Sequence, residues 1–308
     1  MNDTSEGRPA AKLSRSGLAY GLAAYGLWGV MPIYFKQIAA VPAADIVAHR
    51  ILWSLVVLAA FLTLARAWQE VRKAIASRRT LALLGITAVL IGVNWLLYVY
   101  AINSGHIIAA SLGYYLNPLA NILLGRFILG EKLSRRQWWA VALAAVGVAV
   151  LAAGALDTLW LSLLLCVSFA TYGLLRKIAP VDSLAGLSIE TAMLAPLAMV
   201  WLLIGGAQGM TIVDHPTSTV LLLAAAGLVS TVPLLCFTAA ARRLPYSTVG
   251  MLQFLAPTLQ FLLAVAVYDE PLTTAHLLAF AAIWAALALY SSSILTRRRR
   301  PGPELGEG

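Results

Sequence analysis

Tyr114, Asn117 and Asn121 fall three and then four residues apart in an apolar run that reads Ser111-Leu-Gly-Tyr-Tyr-Leu-Asn-Pro-Leu-Ala-Asn121. On a helix they share one face. Their phenol and amide groups both donate and accept hydrogen bonds. Within a bilayer such groups are costly and turn toward protein or a water-filled cavity. A second apolar run repeats the arrangement 139 residues later: Gln253 answers Tyr114, Pro257 answers Pro118 and Gln260 answers Asn121. The spacing predicts two related helices that present polar groups to one cavity near the middle of a membrane. The alternative is interhelical hydrogen bonding for stability alone. Paired mid-helix prolines predict bends in both helices. The chemistry expected of such a cavity is recognition of a small solute.

Other residues extend this cavity. Asn94 and Tyr98 are four apart and share a face, with Trp95 between them. Tyr25, Trp28, Pro32 and Lys36 also follow helical spacing, and Trp28 lies too deep for an interfacial belt. It is read as an aromatic wall. Lys36, Arg50 and Glu190 are the candidate gates or charge sites, with structural ion pairing as the other reading. Arg50 could also snorkel to the surface. Arg50 and Glu190 approach opposite faces, so the expected partners of Glu190 are Arg176, Lys177 or Arg243. Asp269 or Glu270 could neutralise Lys36 or Arg50. The two cations favour an anionic or zwitterionic solute.

Enzymatic signals are missing from the sequence. His49, His106, His215 and His276 do not fall at metal-ligand spacings, so no metal is expected. There is no glycine-rich phosphate loop, no convergent nucleophile and base, and no implied cofactor. Cys166 and Cys236 lie in apolar segments and are read as packing residues.

The elements that position these residues follow from composition. Of 308 residues, 61% are hydrophobic and 11% charged, against about a quarter charged in soluble domains. Lipid must therefore solvate part of the surface. Ten apolar segments of membrane-crossing length are expected: 17–37, 45–67, 81–103, 106–129, 136–156, 159–178, 184–204, 217–241, 247–268 and 273–296. The net charge of +9 would suggest nucleic acid in a soluble protein. With ten crossings and a cytoplasmic N-terminus, however, every Lys and Arg except Lys36 and Arg50 falls on the cytoplasmic side. No nucleic-acid partner is expected; the partners are a small-molecule substrate and the lipid bilayer. The first apolar run is longer than a signal-peptide core, so it is read as a retained helix.

The 139-residue offset runs through both halves, pairing Tyr98 with Phe237 and Glu131 with Glu270; it is 141 early on, where Trp28 meets Phe169 and Lys36 meets Lys177. The expected organisation is a disordered N-terminus (1–16), a five-helix copy (17–156), a second five-helix copy (159–296) and a basic tail (297–308). An odd number of crossings per copy makes the two copies inverted. Segments 5 and 10 carry small residues such as Ala140, Ala144 and Gly147, and Ala281, Ala285 and Ala288. These could pack within the chain or form a homodimer.

Several runs together carry a family likeness: His49-Arg50-Ile-Leu-Trp53-Ser54, Asn94-Trp95-Leu-Leu-Tyr98, Ser111-Leu-Gly-Tyr114 with Asn117-Pro118-Leu, and Gly130-Glu131. The second half adds Tyr172-Gly173-Leu-Leu-Arg176-Lys177, Ile189-Glu190-Thr191, Leu235-Cys236-Phe237-Thr238 and Pro257-Thr258-Leu. From about residue 17 to 295 the chain resembles the drug/metabolite transporter superfamily, its EamA-repeat branch, and most closely the RarD group. The resemblance implies a ten-helix protein of the bacterial inner membrane that exports or imports small metabolites, uncoupled or coupled to protons. Relatives often carry a glutamate shortly before the Ser-Leu-Gly-Tyr run, where this chain has Ala109, so a coupling carboxylate is not implied there. The expected function is a secondary transporter working by alternating access, as an exporter or exchanger. The competing class is a membrane scaffold or sensor that moves nothing.

Overall fold

Without water to serve them, backbone amides in a bilayer must bond within their own segment, and helices do this. The computed structural model describes residues 14–104, 106–153, 156–205, 216–268 and 274–298, and its regular structure there is helical throughout. The helices are α1 (Arg15–Gln37), α2 (Ala43–Leu64), α3 (Trp68–Ala76), α4 (Arg78–Asn103), α5 (Ile107–Phe127) and α6 (Arg135–Ala152). A 3₁₀ turn at Leu156–Thr158 leads into α7 (Leu159–Ile178), α8 (Ser183–Leu203), α9 (Thr217–Arg243), α10 (Tyr246–Gln253), α11 (Leu255–Tyr268) and α12 (Thr274–Arg298).

Side chains start several of them. Ser14 Oγ accepts from Gly17 N at 3.1 Å. Ser134 and Gln137 cap α6 reciprocally, and Asp182 accepts from Leu184 N at the head of α8. Glu131, in the α5–α6 turn, caps a distant helix. Its carboxylate accepts from Tyr246 N (2.5 Å), Ser247 N (2.9 Å) and Ser247 Oγ (2.6 Å) at the start of α10.

Among the described residues, seven stretches are long and apolar enough to cross a membrane: Arg15–Gln37, Ala43–Leu64, Arg78–Tyr98, Leu156–Ile178, Ser183–Leu203, Thr217–Arg243 and Tyr246–Val267. Several boundaries differ from those expected. Ser14 caps a helix that begins at Arg15, so residues 15 and 16 are helical, and α12 runs on through Arg298. The rest of both termini, with Asp269, Glu270 and His215, lies outside the described residues. Segment 9 is not one helix. It breaks at Phe254, because Pro257 brings no amide to the carbonyl of Gln253 and its ring crowds that carbonyl. Pro118, its counterpart, sits inside an uninterrupted α5.

The repeat offset matches α1 with α7, α2 with α8, α4 with α9, α5 with α10–α11 and α6 with α12. The most extensive helix contacts keep their pattern when these labels are exchanged, whereas α7–α9 and α5–α6 have no comparable counterpart. α1 packs on α9 and α11, and α7 packs on α4 and α5. α2 crosses α8, α6 crosses α12, and α2–α9 is answered by α4–α8. The small residues of α6 are used within the chain: a side chain at Gly147 would stand 2.8 Å from the carbonyl oxygen of Ala279 on α12. Around this interface Ala140, Ala144, Phe254, Ile283 and Tyr290 form one buried core.

The turns sort into two ends. Gly17 abuts Arg243 and Leu244, Lys177 donates to the carbonyls of Ala241 (2.8 Å) and Leu244 (2.5 Å), and Arg242 donates to those of Ala179 and Val181. α3 packs through Ala74 on Ala179 and Ala185, and Glu131 reaches α10. The start of α1, α3 and the α5–α6, α7–α8 and α9–α10 turns thus gather at one basic end. At the other end Ile38, Val41 and Leu223 pack together, and Tyr34 donates to Leu222 O at 2.5 Å.

Candidate functional site

A cavity of about 1360 Å³ lies between the halves. It follows α1 from Tyr25 to Lys36, about 17 Å at 1.5 Å per residue. At Lys36, Ala39 and Ala40, all exposed, it reaches the surface beside the α1–α2 turn.

Its inner end is floored by aromatic rings. Trp28 meets Phe169 at 6.1 Å between centroids and Phe237 at 5.8 Å. Phe169 meets Phe237 at 5.2 Å and Tyr172 at 6.1 Å. The repeat supplies this floor from both copies, since Trp28 and Phe169 are counterparts.

Six of the residues expected to line a cavity do so: Trp28, Asn94, Tyr98, Tyr114, Gln253 and Gln260. Tyr114 is 41% exposed although helices flank it, and Tyr98 meets it at 5.9 Å between rings. The amides are partly engaged elsewhere. Asn94 Nδ2 donates to Leu165 O and Ser168 Oγ, both at 2.9 Å. Gln260 Nε2 donates to the carbonyl of Trp28 at 3.0 Å. That carbonyl lacks its helical partner because residue 32, four positions on, is proline. Gln260 thus repairs the defect that Pro32 creates.

Asn117 and Asn121 stand outside the cavity wall. Both are fully buried, and Asn121 Nδ2 donates to Gln253 Oε1 at 2.7 Å. The shared face of Tyr114, Asn117 and Asn121 descends about 10 Å along α5, from the cavity at one end into packing against α10 at the other.

The ionisable residues separate as well. Lys36 and Arg50 line the cavity. Arg50 Cζ lies 4.1 Å from the centroid of the Trp95 ring, a shelf that spacing alone did not assign to it. Glu190 lies behind the floor. Its carboxylate accepts from Thr87 Oγ1 (2.5 Å) and Tyr172 OH (3.3 Å) and pairs with Arg176 Nε (3.5 Å). Arg176 is fully buried and also donates to Ser183 O at 3.2 Å. Of the three partners expected for Glu190, Arg176 is the one it meets. Asp45 accepts from Trp201 Nε1 at 2.8 Å, which ties α2 to α8.

Apolar crossing helices around an internal cavity with polar and aromatic walls define a multi-pass membrane protein of the transporter class. The chain belongs to the EamA-like transporter family, whose sequence profile matches it twice, over residues 15–153 and 158–292. It is 45% identical to Protein RarD of Escherichia coli strain K12, over 94% of this chain and 98% of that protein. It is 44% identical to an uncharacterized transporter of Vibrio cholerae, covering 92% of this chain and 94% of that one. The Chloramphenicol-sensitive protein RarD of Pseudomonas aeruginosa is 32% identical, over 94% and 99%. A solved crystal structure of a protein 22% identical superposes with a TM-score of 0.73, covering 93% of this chain and all of that chain, so the fold is shared.

Proposed function

We propose that this protein is a secondary transporter of the bacterial inner membrane, moving a small polar or amphipathic solute by alternating access. The observation that carries this reading is the cavity: large, walled by both copies, reaching the surface at one end and floored by aromatic rings at the other. In this reading residues 17–156 and 159–296 are inverted five-helix copies. α5, α6 and α12 join the seven strongly apolar stretches to give ten crossings. The exchange symmetry of the helix contacts supports two equivalent copies. The clustering of basic residues at the end where α1 begins supports a cytoplasmic N-terminus. The cavity then faces outward, and the floor over Glu190 and Arg176 is the closed inner gate. Such a protein works as an exporter or exchanger. Trp28, Asn94, Tyr98, Tyr114, Gln253 and Gln260 contact the solute, with Lys36 and Arg50 supplying charge.

Solute libraries screened by thermal shift, followed by counterflow in proteoliposomes, test the reading. Tyr98→Phe and Tyr114→Phe remove only hydroxyls from the wall. Each is expected to slow flux of the solute by about fivefold or more, one net hydrogen bond. Wild-type flux in both variants would refute the cavity as the transport site.

A further inference from the structure

Arg50 meets no counter-charge in the cavity among the described residues. Among its described lining residues are Lys36 and Arg50 but no aspartate or glutamate. Lys36 is exposed, near the mouth. Arg50 lies deeper, between Ile46 and Val47 on one side and Ile51 and Ser54 on the other, all of which line the cavity. Neither Lys73–Glu70 nor Arg176–Glu190, two ion pairs of the described residues, involves Arg50. Its Nε is buried with no hydrogen-bond partner among the described residues. One face of the guanidinium is covered by the Trp95 ring at 4.1 Å, which orients the planar fork without satisfying its donors. Asp45, one helical turn before His49, is turned to Trp201 and does not line the cavity.

A cation withdrawn from water is costly unless it is paired. No described residue of the wall supplies the partner, which leaves that place to a solute entering from the solvent side. A guanidinium packed over an indole keeps its planar fork of donors free to match planar oxyanions in a bidentate way. Below Arg50 the wall turns apolar and aromatic, through Ile91, Leu234, Trp28 and Phe169. A solute that satisfies both zones carries an oxyanion at one end and an apolar ring or branched chain at the other.

We propose that Arg50 is an anion-binding residue and that the substrates are organic carboxylates with an aromatic or branched apolar body. The carboxylate sits on the Arg50 guanidinium beside Trp95 and the body points to the aromatic floor. This rests on reading the cavity as the transport site. Lys36 contributes attraction at the mouth, and Tyr98 and Tyr114 flank the bound head group.

The test uses the whole purified protein in lipid nanodiscs and three probes with the same phenyl body: 3-phenylpropanoate, its isostere 3-phenylpropanamide, and 3-phenylpropylamine. Trp95 beneath the head group makes tryptophan emission the readout. The acid is expected to change the emission saturably. The amide should bind about tenfold or more weakly, the margin of a charge-assisted over a neutral contact, and the amine more weakly still. Arg50→Gln should bring acid and amide to equal affinity, while Arg50→Lys should keep the acid preference at lower affinity. An amide that binds wild type as tightly as the acid would overturn the proposal, and that comparison needs no variant to fold. An acid preference surviving in Arg50→Gln would overturn it too. Counterflow of labelled acid separates the two levels: acid-selective binding without flux upholds the anion site and defeats transport. Flux of amide or amine with no acid preference upholds transport and defeats the anion site.

Discussion

Glu190→Ala leaves the Arg176 guanidinium, 0% exposed, without a counter-charge behind the aromatic floor. It also removes the acceptor used by Thr87 Oγ1 and Tyr172 OH. Thr87 keeps a bond to Leu84 O at 3.0 Å, and Arg176 keeps one to Ser183 O, so the charge dominates the loss. Breaking a buried pair by removing one partner costs about 3–5 kcal/mol. At about 2–4 °C per kcal/mol, the melting temperature should fall by about 10 °C. Glu190→Gln returns one acceptor oxygen, enough for Thr87 or Tyr172 but not both and without the charge, and should recover roughly 1 kcal/mol of this. The double substitution Arg176→Met with Glu190→Leu removes both charges and fills the same space. Such swaps are often neutral or stabilising by about 1–4 kcal/mol. It should therefore melt within a few degrees of wild type and well above either single variant. The assay is thermal unfolding in a fixed detergent, followed by tryptophan emission and by retention of the monodisperse peak. A Glu190→Ala melting temperature equal to wild type, or a double variant as labile as the worse single one, would refute the account. Flux in the double variant then measures the ion pair's part in closing the inner gate, separately from its part in stability.

Two further outcomes are expected. Because Gln260 serves the carbonyl that Pro32 leaves bare, Gln260→Ala should destabilise the wild-type background by about 1–3 kcal/mol. It should cost far less when Pro32→Ala restores the helical donor, and thermal melts of the four-member cycle read this coupling directly. Glu131→Ala strips the cap from α10, releasing two backbone amides and a hydroxyl. The expected loss is about 1–2 kcal/mol, with faster hydrogen exchange confined to the amides of Tyr246 and Ser247 and their neighbours; uniform exchange would contradict it.

The long helices were legible because an apolar run in lipid has little choice of structure. The nine residues of α3 were not. Its packed face is only Val71 and Ala74 set against Leu81 and Ala185, and the run Gln69, Glu70, Arg72 and Lys73 looks like a polar connection. The break at Phe254 was half legible. Pro257 announced a bend, but its identical counterpart Pro118 sits in a continuous helix, so the neighbours decide the degree. Helical spacing grouped Tyr114, Asn117 and Asn121 correctly on one face. It could not say that different neighbours cover different depths of that face, leaving Tyr114 in the cavity and Asn121 against Gln253. Depth narrowed the partner of Glu190 to Arg176, Lys177 or Arg243, and packing alone selects Arg176. Trp95 was noticed between Asn94 and Tyr98, but its role as the shelf for Arg50 depends on how α2 and α4 approach each other, which no local pattern records.

All of the most extensive helix contacts join one half of the chain to the other: α6 with α12, α1 with α9, α5 with α7, α2 with α8. When the ribosome has finished residue 153, the helices it has delivered still lack their most extensive partners and have only smaller contacts such as α5–α6 and α2–α4 with one another. They are expected to wait in the bilayer, lipid standing in for protein, until the second half arrives to be threaded among them. The first half made alone should therefore be degraded, whereas the two halves made as separate chains should find each other and restore the fold. That outcome would make each half a subunit, with the covalent connection between them fixing their ratio at one to one.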